Sequence, residues 1–305
     1  NHLNANDWYQ KINYQLQKSM KVWSFSDVPV TYLLSGGLDS SALVALAAIN
    51  STKPIKTYSL GFEGEGEESW NELKIAKDVS KKYGTDHTEI ILNPDILADS
   101  LDKMSKHLEQ PYAGGLPSWA VFEAISKEHR VAVVGTGGDE IFGNYNRGRK
   151  FNSLISSASQ NINVFSELFS KSFQDAFYII DDKKSEEILI KKEYGSKLLN
   201  KMSKLYQSYS HIEIDDLVAQ LSIDTQLVDE FLMMTDRFSM AHSVEARTPY
   251  LDHELVNLLF SMPNKYRVDY DNYKSALKGS IGHLLPKSVL QAKKHGFNIP
   301  LSLWM

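Results

Sequence analysis

Four short runs rich in β-branched and aliphatic residues alternate with helical patterns through the first half of the chain: Val28–Leu34, Ile55–Leu60, His87–Leu92 and Arg130–Val134. That alternation constrains the fold more than any other feature. Strands joined through helices run parallel, and a parallel sheet needs helices over both faces. The expected fold class is therefore α/β, a doubly wound and mainly parallel sheet. Between the first two runs Ser40–Ile49 is apolar nearly all round, which predicts a helix buried on more than one side. Trp70, Leu73, Ala76, Val79 and Tyr83 recur along one helical stripe, while Glu72, Lys74, Lys77, Lys81 and Lys82 fall largely elsewhere. This is the pattern of an amphipathic crossover helix.

After Arg149 the strand signal fades. The stretch to about Asn200 mixes Ser, Asn, Lys and acidic residues with scattered apolar ones and reads as a helical insertion, with Asp181–Glu187 as a solvated charge run. From Asp215 to the end the pattern is helical, punctuated by Pro249, Pro263, Pro286 and Pro300. An α/β core over 24–150 and a mostly helical part over 151–305 are expected, and the two can share one core. At about 150 residues per domain, 305 residues allow either two domains or one large unit.

Composition removes several function classes. With no Cys, disulfides, thiolate metal sites and cysteine nucleophiles are excluded. The 33 basic and 38 acidic residues are mixed along the chain, net -5, with no polybasic block, so nucleic acid is not an expected partner. The longest apolar run, Ala42–Ile49, is too short to span a bilayer, and Asn1–Asp7 lacks the order of a signal peptide. No membrane association and a cytoplasmic location are expected. The 9 His form no His-x-x-x-His pair, which argues against a transition-metal site. Met233, Met234, Met240, Phe231 and Phe238 read as packing.

The chemistry is concentrated in Ser35-Gly36-Gly37-Leu38-Asp39-Ser40-Ser41, between the first predicted strand and the first helix. A glycine-rich turn lets backbone N–H groups approach a phosphate, and the helix that follows adds a favourable dipole. The lysine of a Walker A loop and the glycine spacing of a dinucleotide fingerprint are both missing. A plainer reading is a tight strand-to-helix turn capped by Ser. Asp39 weighs against it: a carboxylate inside a phosphate loop repels its ligand unless a divalent cation stands between them, which implies Mg²⁺ and a polyphosphate. Gly135-Thr136-Gly137-Gly138-Asp139-Glu140 follows the fourth predicted strand, where a doubly wound sheet places it beside the first loop. Asp39 and Asp139 can then share one metal, although Asp139 and Glu140 also suit the first turn of a helix.

These blocks resemble the synthetase domain of the asparagine synthetase B family, ATP pyrophosphatases with a PP-loop. The resemblance is collinear over nearly the whole chain. It also includes Ser59–Phe62, Phe142-Gly143, Asp236–Ala241, Val244–Asp252 and Lys293–Phe297. It implies that Ser35, Gly36, Gly37, Asp39 and Ser40 hold the pyrophosphate portion of ATP, that Asp39 and Asp139 contact Mg²⁺, and that Leu33, Leu60 and Gly135 line the adenine and ribose site. Lys274, in Lys274-Ser275-Ala276-Leu277-Lys278, matches the family's Lys-x-x-Leu-basic block, which implies a catalytic role on the phosphates; taken alone it reads as a solvated side chain. The implied reaction is adenylation of a carboxylate with release of pyrophosphate, then amide formation by ammonia or another amine. Arg237 and Arg247 are candidate clamps for a carboxylate substrate, or else structural partners of Asp236 and Glu245.

Two departures stand out. Thr136 occupies a position where family members usually carry Glu, and a hydroxyl cannot replace that base. Glu140 and Glu109 are candidate substitutes on the substrate side, or the acceptor differs: a sugar acid, or a carboxylate closed into a ring amide. A non-catalytic ATP-binding module is the reading from another class. Family members also normally begin with a glutaminase domain, which would be the natural partner of this chain. Its absence before the helix-like stretch Asp7–Trp23 implies that 1–305 is the synthetase domain excised from a longer protein. The implied small-molecule partners are a carboxylate and an amine, and a homodimer is compatible with the chain.

Overall fold

The computed structural model describes residues 3–63, 71–108, 115–143, 213–269 and 271–292. The predicted insertion, the run 181–187, Trp70, Glu109, Pro300 and the Lys293–Phe297 block lie outside the described residues.

The chain opens with α1 (Ala5–Trp23), started by a capping box in which Asn4 and Asp7 bond each other's backbone N–H. It is followed by β1 (Val30–Leu33), α2 (Leu38–Ile49), β2 (Lys56–Phe62), α3 (Leu73–Tyr83), β3 (Asp86–Leu92), α4 (Pro94–Leu108), α5 (Leu116–Ser126), β4 (Val131–Val133) and the short α6 (Gly138–Ile141). After residue 212 come α7 (Ile214–Ser222), a π-helical stretch (Ile223–Leu232), α8 (Met233–Ala241), β5 (Glu245–Arg247), α9 (His253–Ser261), α10 (Asn264–Arg267), α11 (Ser275–Ile281) and α12 (Lys287–Gln291).

Each of the four predicted runs forms a strand, and all pair in parallel in the order β3-β2-β1-β4-β5. The doubly wound α/β class expected from the alternation is the one observed. The fifth strand corrects the reading of everything after Asp215 as helical. Glu245-Ala246-Arg247 carries two charges in three residues and no apolar run, so nothing local marks it as a strand. It is extended because the outer edge of β4 offers it partners: the Glu245 N–H donates to the Arg130 carbonyl and the Val134 N–H to the Arg247 carbonyl, both at 2.8 Å.

Both faces of the sheet are covered, and alternate strand residues divide between two cores. Tyr32 and Val133 join α1, α2, α9, α11 and α12 on one side. Tyr58, Leu60, Ala132 and Val134 join α4, α5 and α8 on the other. The α2 helix is buried almost all round, as its composition predicts, from Leu38 through Ala47 except at Asp39. In α3 the predicted stripe is buried at Ala76 and Val79. In the first core α1 and α11 run so close that a Cβ on Gly279 would lie 2.4 Å from the Tyr9 ring. No described helix is long and apolar enough to cross a membrane.

Candidate active site

The strand order places β1 and β4 side by side with their crossovers leaving in opposite directions, so the loops after them border one crevice at the carboxyl edge. The first loop is made by its glycines and serines. Gly36 takes φ +93°, and a Cβ there would lie 2.8 Å from the Glu72 carbonyl oxygen. Ser40 Oγ accepts from the Ser35 N–H at 3.1 Å and donates to the Gly37 carbonyl at 3.2 Å; Ser35 Oγ lies 2.9 Å from it and accepts from the Gly37 N–H at 3.2 Å. The two hydroxyls knit the loop that delivers Asp39 to the first turn of α2.

The second loop closes against that aspartate. A Cβ on Gly138 would lie 2.8 Å from Asp39 Oδ1, and one on Gly135 would lie 3.4 Å from Asp39 Cβ. Glycine is therefore what lets the Asp39 side chain rest on the loop that carries Asp139.

Lys274 joins the two. Its ammonium donates to both carboxylate oxygens of Asp39 and lies 2.9 Å from Asp139 Oδ1. Its side chain is 0% exposed, whereas those of Asp39 and Asp139 are 19% and 26% exposed, so the acids keep an open side and the lysine does not. Burial draws the ammonium's pKa down, but the Asp139 and Asp39 carboxylates outweigh it and hold Lys274 above the ordinary lysine range. Lys274 adopts φ +49°, a left-handed conformation uncommon for a residue with a side chain, immediately before α11.

Two tyrosines that the sequence did not single out complete the surroundings. Tyr250 is fully buried, packs edge-to-face on Phe142 at 5.9 Å and donates its hydroxyl to the Asp39 carbonyl at 3.0 Å, across 211 positions of chain. Burial, reinforced by Asp39, pushes its phenol well above the usual range. Tyr273 lies with its ring centroid 5.5 Å from the Lys274 nitrogen, and burial raises its phenol too. Tyr250 lies in the quoted Val244–Asp252 block, but no sequence signal links its hydroxyl to the first loop.

The other predicted residues are distributed as follows. Leu33 ends β1, Leu60 lies in β2 and Gly135 follows β4, on three adjacent strands. Thr136 Oγ1 lies 3.4 Å from Thr235 Oγ1 of α8. Glu140 is buried in α6, and Arg237 is exposed on α8. Arg247 is engaged at the sheet edge: its Nε donates to Glu245 at 2.7 Å, and one terminal nitrogen donates to the carbonyls of Trp23 at 3.0 Å and Phe25 at 2.7 Å.

The donor set suits a hard divalent cation. Asp39 and Asp139 offer only oxygens, and a Cβ at Gly138 would fill the space in which the Asp39 carboxylate sits. Among the described residues no group of three or more His, Cys, Asp or Glu could hold a metal. Two carboxylates are what Mg²⁺ takes from a protein when water and phosphate oxygens complete its shell.

Comparison with known proteins identifies the family. A family model described as asparagine synthase matches residues 11–305. Asparagine synthetase [glutamine-hydrolyzing] 1 of Bacillus subtilis is 28% identical over 314 residues, covering 94% of this chain and 49% of the relative. A putative asparagine synthetase [glutamine-hydrolyzing] of Mycobacterium bovis is 26% identical, covering 97% and 49%. The chain thus spans about half the length of the curated relatives it matches. Among solved structures, an NH3-dependent NAD synthetase from Campylobacter jejuni aligns with TM-score 0.31 and 14% identity, covering 78% of this chain and 95% of that one, a likeness too slight to bear on the site. With a family model matched from residue 11 to the last residue, the chain belongs to the asparagine synthase family.

Proposed function

We propose that this chain is the amide-forming part of a synthetase: a substrate carboxylate attacks the α-phosphate of ATP, pyrophosphate leaves, and ammonia or another amine displaces AMP from the acyl-adenylate. The observation that carries this reading is the buried Lys274 ammonium held between Asp39 and Asp139, one carboxylate from each glycine-rich loop. A carboxylate is a poor acyl donor, and adenylation turns its oxygen into a good leaving group. The difficulty is electrostatic, because two anions must meet.

Asp39 and Asp139 would hold Mg²⁺, which when bound supplies charge neutralisation on the phosphates. Ser35, Gly36, Gly37 and Ser40 would cradle the pyrophosphate portion, and Leu33, Leu60 and Gly135 the nucleoside. Lys274 keeps its proton under the influence of two carboxylates and stands ready as a fixed cation beside the phosphates. Arg237 is the proposed clamp for the substrate carboxylate. Arg247 is less suited, since Glu245 and two backbone carbonyls already engage it.

The substrate we infer is aspartate, giving asparagine, with ammonia delivered by a glutaminase domain, in line with the glutamine-hydrolysing activity in the relatives' names. Thr136, against the hydroxyl of Thr235, favours a second reading with the same adenylation and a different carboxylate, because two neutral hydroxyls are poor bases. Pyrophosphate release from Mg·ATP with L-aspartate, with and without ammonium, tests both. Release driven by aspartate, with asparagine appearing only when ammonium is added, supports the first. ATP binding without a response to aspartate overturns it and leaves the second. ATP binding with no pyrophosphate release for any carboxylate tried reduces the chain to an ATP-binding module.

A further inference from the structure

Gly279 lies inside α11, downstream of Lys274, where the backbone is helical and makes no demand for glycine. Glycine is among the least favourable residues in a helix interior, so what it supplies here is space. Tyr9 of α1 fills that space. A Cβ on Gly279 would lie 2.4 Å from both Cδ2 and Cε2 of the Tyr9 ring and 2.9 Å from Cγ, so the contact involves the root of the ring and not only its tip. Further along the same face of α1, Ile12 and Leu16 are fully buried and share one core with Leu277 and Ile281 of α11. Tyr9 also faces the residue next to the lysine: burial and the Asp269 carboxylate raise its phenol's pKa, and the Ser275 hydroxyl draws it back.

Lys274 combines φ +49° with a fully buried side chain. A left-handed residue that bears a side chain persists only where its surroundings fix it. Asp39 and Asp139 hold the ammonium, but that pair does not fix the backbone from which the ammonium extends. The first turn of α11 does, since the Lys278 N–H donates to the Lys274 carbonyl at 2.9 Å. A helix of seven residues is too short to stand by itself, and its placement depends on what it packs against.

We propose that the Tyr9–Gly279 contact is the positioning device for Lys274. The ring seated in the glycine notch fixes how far α11 slides and turns against α1, and so where the lysine enters between Asp39 and Asp139. Tyr9 acts through α11 and not on the substrate, which makes it a positioning residue. This assignment rests on the role of Lys274 in the reading above and deepens it by joining α1 to the site.

The test compares the 305-residue chain as wild type, Gly279→Ala, Tyr9→Leu and the double variant. Two quantities are read: substrate-dependent pyrophosphate release, and Mn²⁺ affinity without nucleotide by electron paramagnetic resonance. The methyl group of Gly279→Ala drives α11 off Tyr9, so release should slow by about tenfold or more, with KM for ATP within about twofold. Mn²⁺ affinity should shift by about threefold or more, in the direction that Lys274→Met shifts it. Leucine in place of Tyr9 makes room for that methyl group, so the double variant should regain most of both losses. A contact that only stabilises the fold would lower the melting temperature of Gly279→Ala and leave the Mn²⁺ affinity of the folded protein unchanged. That result, or losses that merely add in the double variant, overturns the assignment. A wild type that releases no pyrophosphate with any carboxylate overturns the amide-forming reading, and the Mn²⁺ titration still decides what places Lys274.

Discussion

The Tyr250 hydroxyl donates to the backbone carbonyl of Asp39 at 3.0 Å, and so ties the turn after β5 to the loop after β1. Through this bond the helical part of the chain fixes where the first loop presents its carboxylate. Tyr250→Phe keeps the ring on Phe142 and removes only the bond, so a stability loss of about 1 kcal/mol is expected. Tyr250→Ala removes the ring as well and should lose about 3–5 kcal/mol. Urea unfolding of both variants checks the difference, and equal midpoints would assign no role to the ring.

Asp39→Asn should abolish substrate-dependent pyrophosphate release while leaving the fold intact. The change is nearly isosteric, and the Ser35–Ser40 hydroxyl bonds that shape the loop do not involve the carboxylate. Near-UV circular dichroism alongside the release assay decides it. Full activity in this variant would remove Asp39 from the proposed metal site.

Lys274→Met leaves two carboxylates facing one another without the ammonium they share. Binding of Mn²⁺ in the absence of nucleotide should become tighter, because the lysine no longer competes for the same oxygens, even as pyrophosphate release falls by about 100-fold or more. Titration followed by electron paramagnetic resonance measures the first effect. Weaker Mn²⁺ binding would show that the lysine orders the acids more than it competes with the metal.

Stability should decline as the pH falls below about 6.5. Burial holds the imidazoles of His87, His129 and His242 below the usual histidine range. The unfolded chain therefore binds protons that the folded one refuses, and the slope of unfolding free energy with pH is positive between the two values. The stabilisation is complete above the unfolded value and is lost on acidification toward the folded ones. Urea midpoints between pH 7.5 and 5.5 test the sign, and replacing His87, whose Nδ1 lies 2.8 Å from Thr57 Oγ1, should flatten the dependence. A midpoint that rises on acidification would contradict it.

The parts of the fold that read directly from sequence are those with a local cause. Val30–Leu33 and Lys56–Phe62 are strands because they are apolar or β-branched over most of their length, and α2 is buried all round because it is apolar all round. Both acidic loops were legible for the same reason: glycines beside Asp mark a turn that brings a carboxylate to an anion-binding position. Lys274 was not legible by itself. A lysine before a helix carries no sign of burial, and only the family block pointed to it. Neither the Tyr250 nor the Tyr273 hydroxyl carried a functional sign of its own.

What the sequence determined by itself was the alternating parallel sheet and the two glycine-rich loops at its carboxyl edge, since residue periodicity and backbone freedom act over a few positions. The tertiary structure alone decided that Glu245–Arg247 is a strand, that Tyr250 supports Asp39, and that Lys274 lies buried between Asp39 and Asp139. Each of these depends on a partner far away in the chain. An edge strand exists only where a neighbouring strand offers hydrogen bonds, and a buried ammonium is stable only where folding brings carboxylates to meet it.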